Sequence, residues 1–187
     1  MTSHVAAVLR LGVGERGVTE IIALAEHVAS LCAGAAALRV EPDAFEQEAR
    51  EPERTWEAPL GEIAEWAQAH LGLARPPVFW QALAAQPGFL QVTWAKDRLV
   101  FGQGRLDEMS KLQVAFAVAA LKQSEYWVRY FERLLERHAG LSRAALVELA
   151  ACVMHYVSFN TVAHAMGLGA RHEEMTAAQF QEVRSGT

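Results

Sequence analysis

From Pro59 onward, apolar residues recur at helical spacing almost without interruption, and glycine or proline marks nearly every break. This pattern limits the chain to a helical fold. Gly61–Leu71 puts Ile63, Trp66, Ala67 and Leu71 on one face and stops at Gly72. Pro76-Pro77 opens a short helix over Val78–Ala85, and Pro87-Gly88 ends it. Phe89–Val100 is expected to bury Leu90, Val92, Trp94 and Leu99. Asp107 can cap a helix running to Leu121 that is apolar nearly all round (Leu112, Val114, Phe116, Val118, Leu121), which marks an interior helix. Tyr126–His138 turns Trp127, Phe131, Leu134 and Leu135 inward. Ser142 caps a long apolar helix reaching Met166, and a polar tail helix follows over Thr176–Val183.

The N-terminal part has a different texture. A short apolar run, Val5–Leu11, suits either a strand or a helix. Gly12-Val-Gly14-Glu-Arg-Gly17 follows, then a helix over about Thr19–Leu38 with Ile21, Leu24, Ala25, Val28, Leu31 and Cys32 on one face. Residues 41–57 carry two prolines and many acids and read as a solvated linker. The expected organisation is an N-terminal helical extension and linker over 1–57 and an all-α helical bundle over 58–187.

Composition removes several function classes. A net charge of −5 over 187 residues opposes a sequence-independent grip on nucleic acid, which needs clustered Lys and Arg. The segment Ala144–Met166 has the length of a membrane span, but Glu148, His155, Asn160 and His164 make it expensive in lipid. A buried core helix and no membrane contact are expected. Met1-Thr2-Ser3-His4 has no basic start of the signal-peptide type. With only Cys32 and Cys152, both in apolar helical surroundings, a disulfide framework is not expected and a reducing, cytoplasmic setting is.

The glycine motif has the Gly-x-Gly-x-x-Gly form of a dinucleotide site. The step to Glu41 is long for a ribose-binding acid, and no further strand–helix alternation follows, so it reads as a glycine turn feeding a helix. No cofactor is expected. No metal site is expected either: His155 and His164 are nine apart, His-x-x-x-His and His-Glu-x-x-His are absent, and His172-Glu-Glu sits in the polar tail. The tryptophans at 56, 66, 80, 94 and 127 read as core or interface.

The stretch Leu106–Phe131, with Ala139-Gly-Leu-Ser142, Phe159-Asn160 through Gly167, and the upstream Pro76-Pro-Val-Phe-Trp…Pro-Gly-Phe-Leu90, resembles the alkylhydroperoxidase-D / carboxymuconolactone decarboxylase family over roughly Pro59–Gly167. The resemblance implies a helical bundle that forms homo-oligomers (dimer, trimer or hexamer). Redox-active members use a Cys-x-x-Cys pair with a Glu on the preceding helix and nearby His residues, because a thiolate attacks peroxide and the sulfenic acid condenses with the second thiol. At those places this chain has Ser124 and Trp127 for the thiols, Leu112 for the Glu, and Tyr126 and Phe131 for the histidines. Serine cannot replace a redox thiol, so thiol peroxidase chemistry is excluded.

What remains suggests another chemistry. Cys152, Tyr156, Asn160 and His164 are spaced by four and share a stripe, with His155 on a neighbouring face. Ser124 and Glu125 beside Asn160 and His164 form a candidate catalytic set, in which a carboxylate general base activates water. Tyr126, Trp127, Tyr130, His155 and Tyr156 would line the pocket. The Pro-Val-Phe-Trp…Pro-Gly-Phe-Leu…Trp94 segment is also similar to the group I haloacid dehalogenases, longer helical enzymes with two repeated halves that activate water with an acid. The expected function is a cofactor-free enzyme acting on a small organic acid or lactone-like molecule. The alternative is a non-catalytic oligomeric or ligand-binding relative, in which Glu125 merely pairs with Arg129 and the other polar groups are structural.

Overall fold

The computed structural model describes residues 8–42 and 56–166. The expected tail helix over Thr176–Val183, His172 and most of the linker lie outside the described residues. Every regular element of the described residues is helical: α1 (Gly14–Ala37), α2 (Leu60–Leu71), α3 (Val78–Leu83), α4 (Pro87–Phe101), α5 (Glu108–Leu121), α6 (Glu125–Arg137) and α7 (Arg143–Ala165). This is the all-α bundle expected from the periodicity. α5 is its axis and packs against α1, α6 and α7, while α4 lies on α1 and α2 lies on α6.

Local sequence sets the ends of these helices. The Asp107 carboxylate accepts from the Ser110 N–H at 2.6 Å, and the Ser142 hydroxyl accepts from the Ala145 N–H at 3.2 Å. Gly72 ends α2 in the left-handed region at φ 66°. Pro87 does not separate two helices as expected: it sits in the first turn of α4, where its missing N–H costs nothing.

The segment expected to be an extension enters the main core. Leu24, Val28, Leu31, Cys32 and Ala35 of α1 are buried in one cluster with Ile63, Trp80, Leu112, Trp127 and Phe131. The Trp127 indole N–H donates to the Leu31 carbonyl at 2.9 Å, fastening α6 to α1. Gly12 and Gly14 have positive φ, and Gly17 lies inside α1 against Val13, so the glycine motif forms a turn into a helix. Three sequence expectations fail on burial. Val92 and Leu99 of α4 are exposed, and Asp97 is buried in their place beside Leu90 and Trp94. Leu121, at the end of α5, is half exposed. The long helix α7 is not a core helix: Leu146 is its only fully buried residue, because only its first turns lie on the bundle.

A second buried polar group closes the α4–α5 connection. The Lys111 ammonium, 3% exposed, donates to the carbonyls of Val100 (3.0 Å) and Gly102 (2.5 Å), which end α4. Glu20 of α1 lies 3.8 Å from it and accepts from the backbone N–H groups of Arg105 and Leu106. Those two N–H groups hold the Glu20 carboxyl below its ordinary range. Lys111→Met is expected to lower stability by about 2–3 kcal/mol, since it leaves those carbonyls without their donor; urea denaturation followed by far-UV circular dichroism measures this.

Candidate functional site

A partly enclosed site lies, among the described residues, where α2, α4, α5 and α6 meet. It is a cavity of about 100 Å³, with Trp66, Phe101, Leu112, Phe131 and Leu134 as its apolar walls. Its polar lining is His70, Asp97, Arg98, Glu108, Tyr130 and His138. Helical spacing delivers these groups. Asp97 follows Trp94 by three on the buried face of α4, Tyr130 and Phe131 lie on the buried face of α6, and His70 is one turn after Trp66 on α2.

Asp97 is 7% exposed, and its Oδ1 accepts from Nε2 of His27 at 3.0 Å; His27 itself is 1% exposed. Burial pushes the Asp97 carboxyl above the usual carboxylate range, and the His27 hydrogen bond works against that shift. Burial also raises the Tyr130 phenol well above its ordinary value, with the Asp97 charge adding to the effect, so Tyr130 remains a neutral hydroxyl.

His70 Nδ1 lies 2.8 Å from the Trp66 carbonyl, which can only accept. Nδ1 therefore carries a proton and donates it to that carbonyl. The His70 ring meets the His138 ring edge-to-face at 4.5 Å, and His138 Nε2 donates to Glu108 Oε1 at 2.9 Å. Trp66 stacks on His70 at 4.7 Å and fixes its plane. Arg98, exposed yet lining the cavity, has its guanidinium carbon 6.0 Å from the Trp66 ring centre and 5.6 Å from that of Trp94. The arrangement combines an acid–base carboxylate backed by histidine, two further imidazoles, a phenol and a cation. Among the described residues no group of three or more His, Cys, Asp or Glu could hold a metal ion.

The candidate set expected from sequence is distributed differently. Ser124 and Glu125 line an open groove of about 330 Å³ with Cys32, Arg39, Lys122 and Tyr126, and α7 contributes nothing to its walls. Glu125 is exposed, at the start of α6. Asn160 and His164 are exposed on the far half of α7, as are His155 and Tyr156. Trp127 is 1% exposed and spent in the core, stacked against Phe131 and edge-on to Phe79. The Tyr126 hydroxyl accepts from the Phe79 N–H at 3.3 Å. Of the expected pocket residues, Tyr130 alone lines the partly enclosed cavity.

Sequence reasoning missed His27, Asp97, His70 and His138. A signal was present for the first two. Leu24-His27-Val28-Leu31 and Leu90-Trp94-Asp97-Phe101 each place one ionisable residue inside an apolar stripe, where it needs a buried partner.

Cys32 is buried and Cys152 exposed. Burial pushes the Cys32 thiol up, against the thiolate a peroxidase requires, although the neighbouring Ser124 opposes the shift. Peroxide consumption in the presence of dithiothreitol is expected to equal the protein-free rate; turnover that disappears in Cys152→Ser would reverse this reading.

No family model, no curated protein and no solved structure matches this chain.

Proposed function

We propose that this chain is a cofactor-independent enzyme that uses the buried Asp97 as a general base on a small organic acid or a lactone-like molecule, on an alkylhydroperoxidase-D-like helical frame. The observation that carries the reading is the buried His27–Asp97 pair beside a partly enclosed cavity with a cation at its edge. His27 engages Asp97 Oδ1 and orients the carboxylate, leaving Oδ2 to take a proton from a bound molecule or from water. Burial brings the affinity of that carboxylate for protons closer to neutral pH, which suits a base. Tyr130 donates a hydrogen bond to a developing oxyanion. Arg98 would hold a substrate carboxylate. A cavity of about 100 Å³ admits only a molecule of a few non-hydrogen atoms.

The base role expected for Glu125 passes to Asp97, because Glu125 lies on an open groove where water screens it.

The test is a panel of short-chain carboxylic acids, 2-substituted acids and small lactones, offered to the wild type and to Asp97→Asn. Turnover by the wild type that is lost in the variant supports the reading. Binding without turnover supports the alternative of a non-catalytic ligand-binding relative. Turnover that survives Asp97→Asn removes Asp97 from the chemistry.

A further inference from the structure

The crevice between α2 and α4 continues beyond the inner cavity. Trp66 and His70 of α2 and Asp97 and Arg98 of α4 line that cavity at one end of the crevice. At the other end Pro59 and Glu62 face Pro87, Gln91, Trp94 and Ala95 across an open groove of about 430 Å³. Helical spacing makes these two spaces one line. Glu62, Trp66 and His70 follow one another by a turn on α2, and Gln91, Trp94 and Arg98 do nearly the same on α4.

Arg98 lines both spaces and stands at their junction. Its guanidinium lies over Trp66, a wall of the inner cavity, and over Trp94, a wall of the groove, 6.0 and 5.6 Å from the ring centres. Arg98 is exposed and forms no ion pair with the described residues. Ring stacking at an exposed site is a weak hold on a cation beside the charge-assisted hydrogen bonds that a carboxylate offers.

We propose that the acid acted on at Asp97 is the head of a longer, mainly hydrocarbon molecule, a 2-substituted medium-chain carboxylic acid whose chain lies in the groove between α2 and α4. This rests on the reading of Asp97 as the base. The carboxylate takes Arg98 and draws it off the two rings. The few atoms at C2 enter the inner cavity, and the chain runs over the vacated faces of Trp66 and Trp94 towards Pro87. The inner cavity then limits the reacting end and not the length of the molecule. Pro59, Pro87, Trp94 and Ala95 suit a hydrocarbon chain, and Glu62 opposes a second carboxylate at its far end. From Gly88 to Arg98 α4 rises about 15 Å, the length of a chain of about a dozen atoms.

The experiment is isothermal titration calorimetry of the full chain with 2-hydroxy acids of 4, 6, 8, 10 and 12 carbon atoms. In the wild type Kd is expected to fall about twofold per added carbon, against about fourfold for a fully buried methylene, because the groove is open on one side. Ala95→Trp and Gln91→Trp sit one turn apart at exposed positions of the groove, so both variants keep the fold. The gain should stop at about six carbons in the first and about four to five carbons later in the second. A wild type that binds none of these acids, or binds all of them equally, overturns the proposal. So does a gain that neither variant shortens, because the chain then lies on another surface. Rates separate this from the reading beneath it. A graded series with turnover that survives Asp97→Asn removes the base and leaves the groove. A flat series with turnover lost in Asp97→Asn removes the groove and leaves the base.

Discussion

His27→Leu is expected to cost about 3–5 kcal/mol at pH 7, among the largest losses available to a single substitution in this chain. The reason lies in what stays behind. Asp97 is 7% exposed, and His27 is the group bonded to its Oδ1. Without the imidazole, the carboxylate must either remain ionised at a largely buried site without its bonded partner or take up a proton, and both are unfavourable at neutral pH. The pH dependence has a definite sign. Burial already raises the Asp97 carboxyl in the folded chain, and His27 is the leading opposing influence, so its removal raises the carboxyl further. A raised folded pKa gives stability that is complete below the unfolded carboxylate value of about 3.9 and is lost as pH rises through the folded value. The variant should therefore recover relative to wild type between pH 7 and pH 4. The double variant His27→Leu/Asp97→Leu should regain most of the loss at pH 7, since a buried pair replaced by apolar residues is often close to neutral in stability. Urea titrations at pH 4, 5.5 and 7 measure all three. A His27→Leu variant equal to wild type at pH 7 would mean that the cavity stabilises the Asp97 carboxylate without His27.

The second large effect is on turnover. Asp97→Asn keeps the shape of the side chain and removes its proton affinity, so it is expected to lower kcat by about 10²–10⁴-fold, the usual contribution of a positioned general base. Glu125→Gln is expected to change kcat by no more than about twofold, as for an exposed residue outside the reacting centre. The contrast follows from environment. Both are carboxylates on helices, but Asp97 lines a partly enclosed cavity with Tyr130 and His70, whereas Glu125 faces an open groove.

The fold was largely legible in the sequence. The helix starts at Asp107 and Ser142 and the stop at Gly72 were readable because each rests on a local side-chain or backbone preference. The interior face of α6 was readable from its strong segregation, with Trp127, Phe131, Leu134 and Leu135 inward. α7 was misjudged for the opposite reason: its apolar residues point every way, and such a sequence does not state whether its cover comes from its own chain. The site was far less legible. Ser124, Asn160 and His164 share a stretch of helices in sequence, but the first lies at the α5–α6 turn and the others on the exposed part of α7. His27 and Asp97 are 70 residues apart and meet only because α1 packs on α4. Periodicity reports which face a residue occupies and says nothing about which helix will face it.

The central claim is that chemistry belongs to the cavity around Asp97. The most direct measurement is the pH profile of kcat for the best substrate of the carboxylic acid and lactone panel, in wild type, Asp97→Asn and Glu125→Gln. The account predicts an acid limb in the wild type and in Glu125→Gln, set by a carboxyl raised above the ordinary range, and a large loss of kcat in Asp97→Asn with that limb gone. Loss of activity in Glu125→Gln, with Asp97→Asn retaining both its rate and its acid limb, would contradict it.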